Sequence, residues 1–201
     1  SVDFGYILCD NDRISVFPVY EKLDFDGITR LMESPLVDTR FILDVHLGKL
    51  ARSMRLLGFD TDWESDRDDD LLSALSAMEN RILLTCDRRL LMRKIVTRGM
   101  IVRSRNPERQ IIEVVRRLQV QDMINPFTRC IECNGLIRVV DIDAPEFTFI
   151  KSGIPDGVLQ WCTEYYQCSS CGRLYWKGSH YDRLQARVRR LIARIRKEAS
   201  G

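Results

Sequence analysis

The stretch "FILDVHLGKLARSMRLLGFDTDW", residues 41–63, decides the fold of this chain. It begins with an apolar run typical of a buried strand, continues with helical spacing and returns to a short strand. One buried helical stripe is predicted by apolar residues at i, i+3, i+7 and i+10, namely Leu47, Leu50, Met54 and Leu57. Gly58 follows at the position where helices commonly end in a left-handed residue. A strand, a helix and another strand in this order favour a parallel sheet.

The same alternation continues to residue 124. "DDDLLSALSAMEN" predicts a second helix with four inward residues, Leu71, Leu72, Leu75 and Met78. The strand "RILLTCD" follows, then the helix "RRLLMRKIV", the strand "MIVRS" and the helix "PERQIIEVVRRL", with Pro107 in its first turn. Strands alternating with helices of this length predict the α/β class.

Three aspartates come from separate parts of this pattern. Asp44 closes the first strand, Asp87 follows "ILLTC", and Asp69 lies at the start of the second helix, near Asp66, Asp68 and Asp70. Ligands of an open parallel sheet bind beyond the carboxyl ends of its strands. Grouped carboxylates repel one another, and Mg²⁺ or Mn²⁺ relieves that repulsion while it orients water for phosphoryl displacement. The alternative for the three is that each merely caps the next helix, and Asp66, Asp68 and Asp70 are expected to lie in a solvated loop.

Basic residues flank the three aspartates. Phosphate contacts are predicted for Lys49, Arg52, Arg88 and Arg89. For Lys49 and Arg52 the alternative is a solvated helix face. His46 is expected to be a packed or hydrogen-bonded histidine rather than a catalyst, because metal-dependent hydrolysis does not require it.

Four of the seven cysteines form two CxxC pairs, Cys130 with Cys133 and Cys168 with Cys171. Four thiolates around one Zn²⁺ leave no open position, so a structural zinc ribbon is predicted, with an insertion between its two halves. A redox CxxC would need a thioredoxin-like helix after the pair, and the sequence has none. The remaining cysteines, Cys9, Cys86 and Cys162, are interpreted as small apolar residues. This usage indicates a reducing, cytoplasmic location.

Aromatic and basic residues are interleaved after the second CxxC pair, in "GRLYWKGSHYDR". Tyr175, Trp176, His180 and Tyr181 among Arg173, Lys177 and Arg183 suit stacking on unpaired bases and phosphate contact. The alternative for Trp176 is to cover the small core of the ribbon. A ligand role for His180 is not expected beside four cysteines.

A final amphipathic helix is predicted from Asp182. One side carries Leu184, Val188, Leu191, Ile192 and Ile195, and the other carries what we call the basic face, Arg183, Arg187, Arg190 and Arg194. The basic face predicts a nucleic-acid contact whose affinity falls with salt. The alternative is a helix that docks by its apolar side and leaves its arginines in solvent.

Composition excludes two classes of protein. Hydrophobic content of 45% with 30% charged residues is that of an ordinary globular protein. No apolar run reaches the roughly 18 residues of a membrane span. The start, "SVDFGYILCD", lacks a basic segment followed by an apolar one, so no secretory signal is expected.

The quoted motifs resemble the Mut-seven C-terminal RNase family of PIN-like nucleases. The resemblance rests on "FILDVHLGKLARSMRLLGFD", "DRDDDLL", "RILLTCDRRLL", "PFTRCIECNG" and "CSSCGRLYWKGSHYDR", and covers roughly residues 41–183. It implies a three-layer α/β/α domain in which Asp44, Asp69 and Asp87 hold Mg²⁺ or Mn²⁺ for RNA cleavage. Cys86 departs from the family, which often has a basic residue there.

The first forty residues are similar to a different family. "DNDRISVFPVY" resembles the closing hairpin of β-grasp, ubiquitin-like sulfur carriers, which implies that the chain begins inside such a domain. Sulfur transfer is not predicted, since "EKLDFDG" follows where a carrier ends in Gly-Gly. The expected division is residues 1–40 as this remnant, 41–124 as the nuclease domain, 125–181 as the zinc ribbon and 182–201 as the basic helix.

The sequence therefore predicts a metal-dependent ribonuclease with RNA as its partner. Two alternatives remain. In one, a non-catalytic RNA- or ribosome-binding protein uses the ribbon and the basic helix. In the other, the β-grasp segment binds a protein partner.

Overall fold

A four-stranded parallel sheet with the order β2-β1-β3-β4 forms the centre of the computed structural model, which describes residues 39–199. Its strands are β1 (Arg40–Leu43), β2 (Asp60–Asp62), β3 (Ile82–Thr85) and β4 (Gly99–Ile101). A second sheet is antiparallel, with the order β5-β6-β7, and consists of β5 (Ile137–Val139), β6 (Tyr165–Cys168) and β7 (Leu174–Trp176).

Helices cover both faces of the parallel sheet. These are α1 (Gly48–Leu56), α2 (Asp69–Met78), α3 (Arg88–Leu91), α4 (Pro107–Leu118) and α7 (Ser179–Ala199), whereas α5 (Phe147–Lys151) and α6 (Asp156–Leu159) pack with the second sheet. Phe41 and Leu43 of β1 point into a core shared with α1, α4 and α7, whereas Ile42 points into a smaller core shared with α2 and α3. This alternation along one strand is what a sheet buried on both faces requires. The predicted α/β class, with a layer of helices on each side of the sheet, is confirmed.

The helical stripe of α1 is confirmed. Its four predicted residues are at most 2% exposed. Gly58 has φ +91° and its N–H donates to the Arg55 carbonyl at 3.0 Å, as expected after a helix end. A Cβ at Gly58 would lie 2.1 Å from the Asn125 carbonyl oxygen, so the chain that enters the ribbon also requires glycine here.

The inward face predicted for α2 is wrong in part. Leu72 is buried, but Leu71 is 50% exposed and Met78 79% exposed. The helix instead buries Ser73 and Ser76, whose hydroxyls donate to the Asp69 and Arg81 carbonyls. Hydrophobicity alone ranks these serines below their neighbours. The helix predicted over "RRLLMRKIV" is also shorter than expected and ends at Leu91.

The predicted insertion in the ribbon lies between β5 and β6. It contains α5 and α6 and packs a small core around Ile154, Cys162 and Tyr165. Trp176 of β7 packs against this core, as the alternative for that residue expected.

The C-terminal helix α7 is present and begins at Ser179, three residues before the predicted start. Val188, Leu191 and Ile195 are buried in the core that α1 and α4 share with the sheet. The division into four segments stays a prediction, and the proposed β-grasp remnant lies almost wholly outside the described residues. Within residues 39–199, no helix combines the length and hydrophobicity needed to cross a bilayer.

Candidate functional site

β1 and β3 end side by side at the point where the strand order of the sheet reverses. The chain leaves β1 for β2 on one side, and β3 lies on the other side of β1. The register pairs Leu43 with Leu84, which brings the next residues, Asp44 and Thr85, to the same edge. Open α/β sheets bind ligands in the crevice at such a switch point.

Asp44 is held firmly in this crevice. The residue is 5% exposed, and each carboxylate oxygen accepts one hydrogen bond. Oδ1 accepts from the backbone N–H of His46 at 2.9 Å, and Oδ2 accepts from the Thr85 hydroxyl at 2.7 Å. Because a carboxylate has about four acceptor positions, both oxygens keep capacity for a further partner.

Asp87 is tied to the same hydroxyl from the other side. Its backbone N–H donates to Thr85 Oγ1 at 2.9 Å, so one buried threonine links the two aspartates. Its carboxylate accepts from the Arg89 N–H at 2.8 Å and caps α3, and the residue is exposed. The helix-capping alternative therefore describes Asp87 correctly, and its outer lone pairs still face solvent.

Asp69 is exposed in the first turn of α2, and the cap of that helix is Asp68, which accepts from the Leu71 N–H at 2.8 Å. Asp70 pairs with Arg93, and Asp66 is exposed. The aspartates of the described residues do not form a cluster of three or more ligands close enough to share a metal ion. In the described part of the chain, one group of three or more His, Cys, Asp or Glu residues is close enough, with ligand atoms within 4.8 Å of one another, and it contains none of these aspartates. Asp44 and Asp87 are thus brought together through Thr85, and the three carboxylates do not form a compact set.

The predicted phosphate contacts divide into two kinds. Lys49, Arg88 and Arg89 are exposed, whereas Arg52 pairs with Glu132 of the ribbon at 2.7 Å. The His46 side chain is exposed and its backbone serves Asp44.

The segment after β4 adds residues that the sequence reasoning missed. Glu113 of α4 accepts from the N–H groups of Arg103 and Ser104 at 3.0 Å and so holds that segment at the edge. Burial raises the pKa of the Cys86 thiol, Asp44 and Glu113 raise it further, and Arg105 opposes them. Arg105 is therefore a cation whose charge acts on Cys86, the residue between Thr85 and Asp87. The charged run "VRSRNPE" directly after a strand was the available signal.

The four predicted cysteines form the compact group. Their Sγ atoms all lie within 4.8 Å of one another, with Cys130 and Cys171 3.7 Å apart and Cys133 and Cys168 3.4 Å apart. Four sulfurs bound tetrahedrally at about 2.3 Å from a zinc ion lie about 3.8 Å from one another, which these separations fit. The four cysteines are positioned to bind a metal.

Tyr175 supports this site from β7. Its hydroxyl lies 3.0 Å from Cys130 Sγ. Burial by itself disfavours the Cys130 thiolate, but Tyr175 and the N–H groups of Glu132 and Cys133 outweigh burial and lower the pKa of Cys130 to about 7. The Tyr175 hydroxyl is therefore engaged within the protein, with a cysteine of this site.

Arg55 is a buried residue that the sequence reasoning also missed. It is 2% exposed, in α1, and burial lowers its pKa while Asp62 and the thiols of Cys133 and Cys130 oppose that shift. Its guanidinium donates to four backbone carbonyls, those of Thr61, Trp63, Ile131 and Glu132. The last two lie inside the first CxxC turn.

Asn134 joins the ribbon to the edge strand β2. It adopts φ 70°, accepts from the Thr61 N–H at 2.9 Å and donates to Asp60 Oδ1 at 2.9 Å. Arg81 and Arg129 pair with the same Asp60 carboxylate. The ribbon is therefore fixed to the parallel sheet by a polar network.

The aromatic and basic residues near the C-terminus are partly engaged within the protein. Tyr181 packs on Phe127 with ring centroids 4.9 Å apart, and Lys177 pairs with Glu164 at 2.7 Å. On the basic face, Arg187 lies 3.4 Å from the Ser53 hydroxyl, and Arg194 pairs with Glu108 at 2.8 Å. The other two arginines of the basic face, Arg183 and Arg190, are exposed.

Comparison with known proteins gives one match. The family described as the Mut7-C RNAse domain matches residues 39–188, well over half of the chain. No curated protein and no solved structure matches significantly.

Proposed function

The chain belongs to the Mut7-C RNAse domain family, and on that premise we propose that it is a metal-dependent ribonuclease whose working edge is the β1–β3 crevice. The observation that carries the proposal is the placement of Asp44. It is a buried carboxylate at a switch point, oriented through both oxygens, in a chain whose family points to RNA. Asp44 also caps the turn Val45–Leu47, and its position at the switch point is what points beyond that capping role to a ligand.

The acidic residues fit a hard divalent cation that takes only one or two of its ligands from the protein. Mg²⁺ is usually held by one or two carboxylates together with waters and substrate phosphate. Asp44 and Asp87 would hold it, and Asp69 would add negative charge from the first turn of α2. When bound, Mg²⁺ or Mn²⁺ supplies an activated water and charge stabilisation at the phosphate.

Other residues of the chain position these carboxylates or bind the substrate. Thr85 fixes the Asp44 carboxylate and the backbone of Asp87, and the Arg89 N–H holds the Asp87 carboxylate. Both carboxylates are therefore oriented before substrate arrives. The exposed cations of this part of the chain, Lys49, Arg88, Arg89 and Arg105, would bind the phosphate backbone. Arg52 can add to them only by leaving Glu132.

We propose zinc as the metal of the four-cysteine site, in a structural role, because four sulfur ligands favour zinc and leave no position for substrate. Two exposed arginines of the basic face of α7, Arg183 and Arg190, would extend the RNA contact away from the crevice. A cytoplasmic location agrees with six described cysteines that form no disulfide.

The test is RNA cleavage with Mn²⁺ or Mg²⁺ by the full chain and by an Asp44→Asn, Asp87→Asn double variant. The amide oxygen that replaces a carboxylate oxygen at position 44 can still accept from the His46 N–H, so the fold is expected to persist, as circular dichroism checks. The matched control is Asp66→Asn, which removes an exposed carboxylate from the acidic segment 66–70 and leaves Asp44 and Asp87 intact. We expect cleavage by the parent and the control and at least a hundredfold loss in the double variant.

Equal cleavage by the parent and the double variant would refute the assignment of the aspartates. RNA binding without cleavage by either protein would instead favour the non-catalytic RNA-binding alternative, in which the ribbon and α7 act alone.

A further inference from the structure

We propose that Arg55 is a positioning residue that couples the four-cysteine site to the Asp44 crevice. The inference rests on the proposed function in two respects, namely that this crevice is where the protein works and that the four-cysteine site holds zinc. The coupling itself follows from hydrogen bonds that do not involve RNA.

The first half of the coupling is the contact of Arg55 with the metal-binding turn. Nη1 donates to the carbonyls of Ile131 at 3.3 Å and Glu132 at 2.5 Å, and both residues lie between Cys130 and Cys133. Four thiolates around a Zn²⁺ ion carry a net charge of about −2. The buried guanidinium supplies a positive charge against that site while it fixes the backbone of its first turn.

The second half runs from Arg55 to the end of β1. Nη2 donates to the Trp63 carbonyl at 3.2 Å, and Nε donates to the Thr61 carbonyl at 2.9 Å. The Trp63 indole N–H in turn donates to the Val45 carbonyl at 3.3 Å. A Cβ on Gly48 would lie 2.6 Å from the Trp63 ring, so the indole lies directly over the start of α1.

The turn that Trp63 holds is the turn that orients Asp44. Val45–Leu47 is a single 3₁₀ turn, and its His46 N–H donates to Asp44 Oδ1. A contiguous path of hydrogen bonds therefore leads from the first CxxC turn through Arg55 and Trp63 to the carboxylate in the crevice. Loss of the metal is expected to loosen that carboxylate without unfolding the parallel sheet.

Arginine is required for this geometry. Its planar fork reaches carbonyls in three directions, whereas a lysine ammonium is a point charge that cannot reach all of them. Arg52 provides a matched comparison, since it lies on the same helix and contacts the same residue, Glu132, but by an exposed side-chain pair.

The experiment compares Arg55→Lys, Arg52→Lys and Trp63→Phe in the full, zinc-loaded chain. Two quantities are measured, zinc transfer to a colorimetric chelator and hydrogen exchange of the backbone amides in residues 44–47. For Arg55→Lys we expect about 10–100-fold weaker zinc retention, the range for residues that support metal ligands. We also expect faster exchange at residues 44–47. Arg52→Lys should match the parent in both.

Trp63→Phe separates the two halves and remains informative if Arg55→Lys fails to fold. It keeps the Arg55 acceptor, the Trp63 backbone carbonyl, and removes the bond to Val45 together with part of the ring that lies over Gly48. Zinc retention should equal that of the parent, and exchange at residues 44–47 should rise about two- to tenfold, the effect of one lost hydrogen bond.

Unchanged zinc retention in Arg55→Lys, equal effects of the two lysine variants, or unchanged exchange in Trp63→Phe would each overturn the coupling. Neither measurement uses RNA. A parent protein that fails to cleave would therefore refute the ribonuclease and leave this result standing.

Discussion

Thr85→Val is the substitution that tests the Asp44 crevice most directly. Thr85 is fully buried, and valine has nearly the same shape, so the change removes two hydrogen bonds without opening a cavity. The bond to the Asp44 carboxylate involves a charged group and is worth about 1.5–3 kcal/mol, and the bond from the Asp87 N–H about 0.5–1.5 kcal/mol. We expect the free energy of unfolding to fall by about 2–4.5 kcal/mol.

Thr61→Val is the matched control. Thr61 is equally buried, in strand β2 of the same sheet, but its hydroxyl donates to a neutral group, the Phe59 carbonyl, at 3.1 Å. Only about 0.5–1.5 kcal/mol should be lost. Calorimetry should place the melting temperature of Thr85→Val about 5–15 °C below that of the parent, with a smaller decrease for the control.

Thr85→Val is also expected to lower the rate of RNA cleavage, which the RNA assay measures. Cleavage by Thr85→Val should fall at temperatures where the variant is fully folded, because Asp44 loses one of the two groups that orient it. Equal stability losses for the two valine variants would refute the view that Thr85 serves a buried charge.

Three further predictions concern the surface and the ribbon. On the basic face, changing Arg183 and Arg190 to Gln should reduce the salt slope of single-stranded RNA binding by about 1.4. The same change at Arg187 and Arg194, which are engaged within the protein, should leave the salt slope unaltered. Burial by itself raises the pKa of Asp60, but Arg81, Asn134 and Arg129 outweigh it and hold that pKa below its ordinary value. Its contribution to stability is therefore present above about pH 4 and lost at lower pH, so urea unfolding of Asp60→Asn should depend less on pH between about 5 and 2. Asn134→Gly should be more stable than Asn134→Ala by about 1 kcal/mol in the same assay, because the residue has φ 70° and alanine is strained there.

The elements that local patterns specify could be predicted. α4 spans the predicted residues 107–118, with Asn106 as its cap and Pro107 in its first turn. The apolar stripe of α1 and the two CxxC pairs carry their own spacing. In each case the physical cause lies within a few residues of the chain, in a helical period, a cap or a turn that presents two sulfurs.

What could not be predicted depends on partners far away in the sequence. Arg187 and Ser53 are separated by 134 residues, and Arg194 and Glu108 by 86. The sequence presents these arginines as a uniform basic face, and only the packing of α7 on α1 and α4 engages half of them. Arg55 is the sharper case. A charged residue in an amphipathic helix is ordinarily solvated, and its burial requires four carbonyls that the fold alone assembles.

The ribbon also resolves a difficulty of the parallel sheet. β2 is an edge strand, and an uncovered edge presents unpaired backbone groups to other chains. Here Asn134 accepts the Thr61 N–H, and Arg55 donates to the Thr61 carbonyl, so side chains complete the edge where a fifth strand would otherwise pair. Asn134 directly follows Cys133, and Arg55 holds the turn that contains it. The ribbon, whose four cysteines are positioned to bind a metal, therefore covers the β2 edge of the sheet, which is why we expect loss of the ribbon to affect the crevice and not RNA contact alone.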